Sequence, residues 1–318
     1  MPAPSTTHLL LCATHRTGSN LLEQYFRATE MAGKPREYYG LELAAELAQA
    51  KNLPDPDRCF LDYHRAILDK WTGPNGVFAA KIMWSHLEIV HARVAADPEG
   101  ASFTGLTPWQ TVTKLHPSPK VVWMTRKDKV RQAVSMVRAK QTGVFSTAHL
   151  DTGRKQEATP AEYDFHLIKF YLEKFTKEDE LWEALFKEEK VSPVRVVFED
   201  FIKNPQDATI GILKSVGLPE PKAWKWPKIQ IRNQSDETTG EWCARYRQDA
   251  QEFKGGKDPH RERRHRARKE IQKETDRAAR WSRWQNHSPG RFLMRLERWI
   301  SCSSRNQQPG SSERAPEG

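Results

Sequence analysis

Long hydrophobic runs are missing from this chain. Its one apolar stretch near the N-terminus, Leu9-Leu10-Leu11-Cys12-Ala13, has no basic flank before it and is much shorter than the core of a secretion signal. No segment reaches the roughly 18 apolar residues of a membrane-spanning helix. The expectation is a soluble, cytoplasmic protein. Cysteine is scarce as well: Cys12, Cys59, Cys243 and Cys302 lie far apart, with no C-x-x-C pair. That excludes a zinc ribbon and a dense disulfide framework, and it fits a reducing compartment with no metal expected.

The 318 residues suffice for one large α/β domain or two small ones without a covalent staple. Charge is plentiful: 51 Lys and Arg stand against 41 Asp and Glu, a formal +10 that suggests an anionic ligand or partner. The excess is uneven. Residues 251–318 hold 17 basic and 9 acidic residues, whereas residues 1–250 hold 34 and 32. The organisation read from this is a domain over 1–250 followed by a basic extension over 251–318.

Strand-like and helix-like segments alternate through the first 220 residues, which predicts a parallel sheet covered by helices. Strands are expected at His8–Ala13, Gly76–Trp84 (after the turn Gly73-Pro74-Asn75-Gly76), Lys120–Thr125 and Val194–Phe198. Their continuous apolar character suits a sheet buried on both faces. Helices are expected from about Asn20 to Thr29 and over Lys129–Lys140, with one or two more over Ala161–Glu189. No internal repeat is present.

The first strand runs into Thr14-His15-Arg16-Thr17-Gly18-Ser19 and then a helix. Backbone N–H groups at a helix start, with hydroxyls and an arginine beside them, make an anion cradle at a strand's carboxyl end. It is not the loop of nucleotide hydrolases, whose G-x-x-x-x-G-K-[ST] requires a lysine where Ser19 stands. Arg126 ends the third strand and Ser135 follows nine residues later in a helix, so a guanidinium fork and a hydroxyl can converge on one phosphate. Taken alone, an arginine after a strand is ordinarily solvated or salt-bridged.

Four ordered stretches resemble a known family. Arg16-Thr17-Gly18-Ser19-Asn20-Leu21-Leu22, continuing through Arg27-Ala28-Thr29 to Ala32-Gly33-Lys34-Pro35-Arg36-Glu37-Tyr38-Tyr39, is the first. Pro74-Asn75-Gly76-Val77-Phe78-Ala79-Ala80-Lys81-Ile82-Met83-Trp84 is the second. The third is Arg126 to Ser135 with Gln132-Ala133-Val134-Ser135 and Arg138-Ala139; the fourth is Glu241-Trp242 with Arg245-Tyr246-Arg247 and Asp249-Ala250. Together they are similar to the sulfotransferases that use 3′-phosphoadenosine 5′-phosphosulfate (PAPS), and most of all to the bacterial trehalose 2-sulfotransferase family.

The resemblance implies a P-loop-like sulfotransferase fold, a PAPS donor, a trehalose-like carbohydrate or glycolipid acceptor and a homodimer. His15, Arg16, Thr17, Gly18, Ser19 and Asn20 would hold the 5′-phosphosulfate, with Arg16 stabilising the leaving oxygen. Arg126 and Ser135 would clamp the 3′-phosphate, with Arg232 as a second ligand in a loop over 232–242 that departs from the family pattern. Glu37 falls where the family places its general base; by its neighbours alone (Lys34, Arg36, Tyr38, Tyr39) it reads as a surface ion pair. Lys81 and Trp84 would face the acceptor, Lys81 sharing a strand face with Met83 and Trp84 pointing the other way, where a core role is the more ordinary one. Residues 40–73 and Ala95–Pro119 follow the family only loosely, which puts trehalose itself in doubt.

In the extension, Arg261–Lys269 is a charge run, Ile271–Arg283 reads as a polar helix and Ser301–Gly318 as disordered. Arg291–Ile300 is a short amphipathic segment suited either to packing on the domain or to contact with the inner face of a membrane. Nucleic acid is the least favoured partner, because seven acidic residues between Gln251 and Ile300 dilute the charge. The rival to an enzyme is a nucleotide-binding protein without catalysis that acts through this extension.

Overall fold

A computed structural model describes residues 6–145, 161–221, 237–256, 258 and 260–284, the last eight by backbone alone. Four parallel strands, β1 (Thr7–Ala13), β2 (Val77–Met83), β3 (Lys120–Thr125) and β4 (Val194–Val197), form a sheet in the order β2-β1-β3-β4. β1 is central. It pairs with β2 from Thr7↔Val77 to Ala13↔Met83, and with β3 from Leu9↔Lys120 to Ala13↔Met124. This register brings the carboxyl ends of β1, β2 and β3 to one edge, where the loops that follow them meet.

Alternation along the strands builds two cores. Leu10, Cys12, Phe78, Ala80, Ile82, Val121 and Trp123 face one side. There they meet α2 (Leu41–Lys51), α3 (Phe60–Trp71), α4 (Trp84–Ala96), α5 (Pro108–Leu115) and the C-terminal half of α7 (Phe165–Glu188). Leu9, Leu11, Ala13, Ala79, Met83, Val122 and Met124 face the other, against α1 (Ser19–Thr29), α8 (Phe198–Phe201) and α9 (Pro205–Ser215). A third cluster joins α6 (Lys129–Thr142), the N-terminal half of α7, α10 (Glu237–Lys254) and α11 (Arg264–Trp284).

The structure corrects one local reading and sharpens others. Trp84 does not end a strand: β2 stops at Met83, whose N–H is accepted by His86 Nδ1 at 3.2 Å, closing the first turn of α4. Of the one or two helices expected over Ala161–Glu189 the structure has one, started by Asp164, which accepts the Leu167 N–H at 3.0 Å. Residue 250 falls inside α10, and Ala267 and Ile271 of α11 join the third core cluster, so this part of the basic extension is packed onto α6 and α7. Residues 291–300 and Ser301–Gly318 lie outside the described residues. Among the described residues no helix is long and apolar enough to cross a membrane.

Candidate active site

The loop 14–18 joins β1 to α1 and is held by a network of hydrogen bonds. Gln132 of α6, fully buried, donates from Nε2 to Thr14 Oγ1 at 3.0 Å and to the His15 carbonyl at 2.7 Å. The Thr14 hydroxyl donates onward to Asp179 Oδ1 of α7 at 3.2 Å, and Thr17 Oγ1 donates to the Thr14 carbonyl at 3.0 Å. Lys129 neutralises Asp179. Arg16 takes a left-handed backbone conformation at φ 65°, uncommon for a side chain of its size, and such strain persists only where surrounding contacts enforce it.

Gly18 caps α1 at φ 90°. A Cβ there would stand 2.3 Å from the Phe198 ring, so the close approach of α8 to the loop requires glycine at this position. Past Gly18 the N–H groups of the first α1 turn are aimed along the helix axis, where the positive end of the helix dipole favours an anion.

Arg126 closes the cradle from β3. Its Nη1 donates to the Arg16 carbonyl at 3.0 Å and its guanidinium lies 4.6 Å from the Phe198 ring centroid. Its Nε is buried without a hydrogen-bond partner, the nearest carboxylate being Glu199 at 4.0 Å. Arg16 Nε donates to Ser135 Oγ at 2.9 Å and its Nη1 to the Phe145 carbonyl. Burial, and then the charge of Arg126, pull the Arg16 guanidinium down to about 10. Two partly buried guanidinium groups this close, one with an unmet donor, make a positively charged site that a multiply charged anion would complete.

A second polar cluster adjoins the first. Lys81, on the α1-facing side of β2 with Ala79 and Met83, is buried and donates from Nζ to Asn20, to Glu23 at 3.0 Å and to Glu37 at 2.9 Å. Burial disfavours its charge, but Glu37 and Glu23 outweigh that and raise its pKa. Burial pushes Glu37 up; Lys81, with smaller contributions from His86 and His15, overrides it and holds the carboxyl down to about 2. His86 lies 3.8 Å from Glu37, yet burial lowers both His86 and His15 to about 4, so both imidazoles are neutral at pH 7.

The segment that carries Glu37 is anchored by its own motif. The Lys81 N–H donates to the Arg36 carbonyl at 2.8 Å, laying the segment along β2. Tyr38 OH donates to the Lys34 carbonyl at 2.8 Å, while Tyr39 OH bonds His64 Nδ1 and His116 Nε2 at 3.0 and 2.9 Å. Gly33, at φ 65°, approaches Val77 so closely that a Cβ would be 2.8 Å from its carbonyl oxygen.

The structure places Arg126 and Ser135 against the loop that carries His15, Arg16, Thr17 and Gly18, through the Arg16 carbonyl and Arg16 Nε, and links Lys81, and through it Glu37, to Asn20 at the start of α1. Trp84 stands apart: its ring packs edge-on against Trp182 at 5.1 Å within the core. Arg232 lies outside the described residues. Sequence reasoning missed Gln132 and Asp179 as supports of the loop, and Glu23 as the second carboxylate on Lys81. Gln132 lay within a quoted motif. Asp179 had no local signal, being one acid among many on a charged helix. Among the described residues no group of three or more His, Cys, Asp or Glu side chains is arranged to hold a metal ion.

A family model described as Stf0 sulphotransferase matches residues 8–249. The chain is 28% identical over 270 residues to a trehalose 2-sulfotransferase of Mycolicibacterium smegmatis, covering 77% of this chain and 96% of that protein. It is 26% identical over 261 residues to a trehalose 2-sulfotransferase of Mycobacterium tuberculosis, covering 76% and 94%.

Proposed function

The chain belongs to the Stf0 sulphotransferase family and is a sulfotransferase; from that premise we propose that its donor is PAPS and its acceptor a hydroxyl of a trehalose-like carbohydrate or of a glycolipid that carries one. The observation that carries the donor assignment is Arg126, with a buried Nε lacking a partner beside a second guanidinium on the anion-binding loop. Such a pair of cations fits a nucleotide with phosphate groups at both its 3′ and 5′ positions, as PAPS has.

PAPS supplies an electrophilic sulfuryl group; the residues divide the remaining work. Arg126 and Ser135 bind the 3′-phosphate. The N–H groups of the α1 start, with Thr17, Ser19 and Asn20, bind the 5′ end, and Arg16 offsets the negative charge that grows on the departing oxygen. Glu37 takes the acceptor proton. A carboxylate near pKa 2 is a weak base, which suits a proton that leaves late, after the bond from the acceptor oxygen to sulfur has made the hydroxyl strongly acidic. Lys81 keeps Glu37 ionised and oriented.

The test is incubation of the full chain with radiolabelled PAPS and a panel of trehalose, other sugars and glycolipids. Label on a carbohydrate hydroxyl, with adenosine 3′,5′-bisphosphate as the second product, is expected. Tight binding of that bisphosphate without sulfation of any acceptor would instead make the protein a nucleotide-binding module. The same reading includes a homodimer and a cytoplasmic location, the first checked by light scattering and the second by fractionation.

A further inference from the structure

α11 lies wholly beyond the stretch matched by the family, which ends at residue 249, yet it packs on α7 and α4 within that stretch. Its first half is fastened to the flank formed by α6 and α7. Ala267 and Ile271 enter the third core cluster, Arg266 pairs with Glu162 at 3.1 Å, and in the turn just before the helix Arg263 Nη1 donates to the Tyr163 carbonyl at 2.7 Å. Glu274 follows, its carboxylate bonded to Lys140 of α6 and 3.9 Å from Lys174 of α7.

Beyond Glu274 the helix runs ten more residues, about 15 Å at 1.5 Å each, and meets α4. α4 is the helix whose first turn presents His86 to Glu37. The helix therefore spans from the α6 and α7 flank to α4, and Glu274 on it feels the charge of His15 in the anion loop. The carboxyl of Glu274 is pushed up by burial, but Lys140 and Lys174, and through space His15, hold it below the usual range. His15 in turn responds to Lys174, so Glu274, Lys174 and the anion loop share one electrostatic environment.

We propose that α11 is the acceptor-side wall of the active site, and that Glu274 is the positioning residue that latches it through Lys140 and Lys174. A wall contributed from outside the segment shared with the family gives this chain a means of selecting its own acceptor on a common donor-binding base. The inference rests on the reading of the site as a centre of sulfuryl transfer from PAPS.

Kinetics of Glu274→Ala in the full chain test it, with Glu274→Asp as the conservative control. The expected result is an acceptor KM raised about tenfold, near 1.4 kcal/mol, with the donor KM unchanged and much of the loss recovered in Glu274→Asp. Hydrogen exchange supplies a readout independent of turnover: amides of 264–284 should gain protection when trehalose is added to wild-type protein saturated with adenosine 3′,5′-bisphosphate. Equal losses toward donor and acceptor, an unchanged acceptor KM, or exchange indifferent to the sugar would overturn the proposal. A wild-type protein that sulfates no member of the acceptor panel would instead overturn the underlying reading.

Discussion

Arg16 and Ser135, 119 positions apart, share a hydrogen bond of 2.9 Å from Nε to Oγ. Each was expected to serve a different end of the donor, one the phosphosulfate and the other the 3′-phosphate. Their contact ties the loop after β1 to the helix after β3, so the two halves of the anion cavity are oriented before a ligand arrives. Preorganisation of this kind reduces the ordering cost of binding.

The 3′-phosphate should be read by Arg126. Calorimetry is expected to show wild-type protein binding adenosine 3′,5′-bisphosphate at least about tenfold more tightly than adenosine 5′-monophosphate, the scale of one charge-assisted hydrogen bond. Arg126→Gln should abolish most of that preference while leaving the monophosphate affinity nearly unchanged. Equal weakening of both nucleotides would refute the assignment.

Gly18→Ala combines a clash with the Phe198 ring and a left-handed backbone. Each is of the kind that costs about 1–3 kcal/mol, so urea denaturation should reveal a loss in that range or above it. Adding Phe198→Ala relieves the clash and not the backbone strain, so the double variant should lose less on account of the alanine at 18 than the single one does. Additive effects would show that the ring is not what excludes the side chain.

Glu37 and Lys81 make a linked prediction about pH. With Glu37 at about 2, the wild-type kcat/KM should show no acid limb from this group above pH 5. Lys81→Met removes the main force that lowers Glu37 and leaves burial to raise it, so an acid limb should move into the range above pH 5. Glu37→Gln should lower kcat by about 10²–10⁴ with bisphosphate affinity unchanged. A wild-type acid limb in that range that disappears in Glu37→Gln would contradict the assigned ionisation.

Stability should fall on mild acidification because of a buried histidine cluster. His64 and His116 bond Tyr39, and His116 Nδ1 lies 3.1 Å from His8 Nδ1. Burial lowers all three, His64 to about 4, whereas an unfolded chain binds protons near 6.5. Their neutral forms therefore favour the fold fully above about pH 7, and this contribution is lost as pH falls, for His64 between about 6.5 and 4, amounting to about 3 kcal/mol. Melting curves from pH 7 to 5 should show the decline, and His64→Phe should flatten it while lowering stability at pH 7. A slope identical in both proteins would assign the effect elsewhere.

Much of the catalytic domain was legible in its residues. The anion loop, β3 with Arg126, and Lys81 sharing a face with Met83 depend on spacing within short segments, and local periodicity records spacing. Trp84 was misplaced because the switch from strand to helix is set by the His86 side chain capping Met83, a contact that an apolar run does not advertise. Asp179 as a support of the loop, and Glu274 as the partner of Lys140 and Lys174, were invisible for a related reason. Each is one acid on a charged helix, and its meaning comes from a partner on another element.

By itself, then, the sequence determined the alternation of strands and helices, the family, and the residue types that meet an anion, since these follow from nearest-neighbour geometry and side-chain chemistry. Only the tertiary structure decided that Lys81 bridges Asn20, Glu23 and Glu37, that Gln132 and Asp179 hold the loop, and that a helix of the basic extension packs on α7 and α4. Those are relations between segments tens to more than a hundred residues apart, brought together by sheet order and helix packing, and electrostatic partners at such separations leave no periodic trace along the chain.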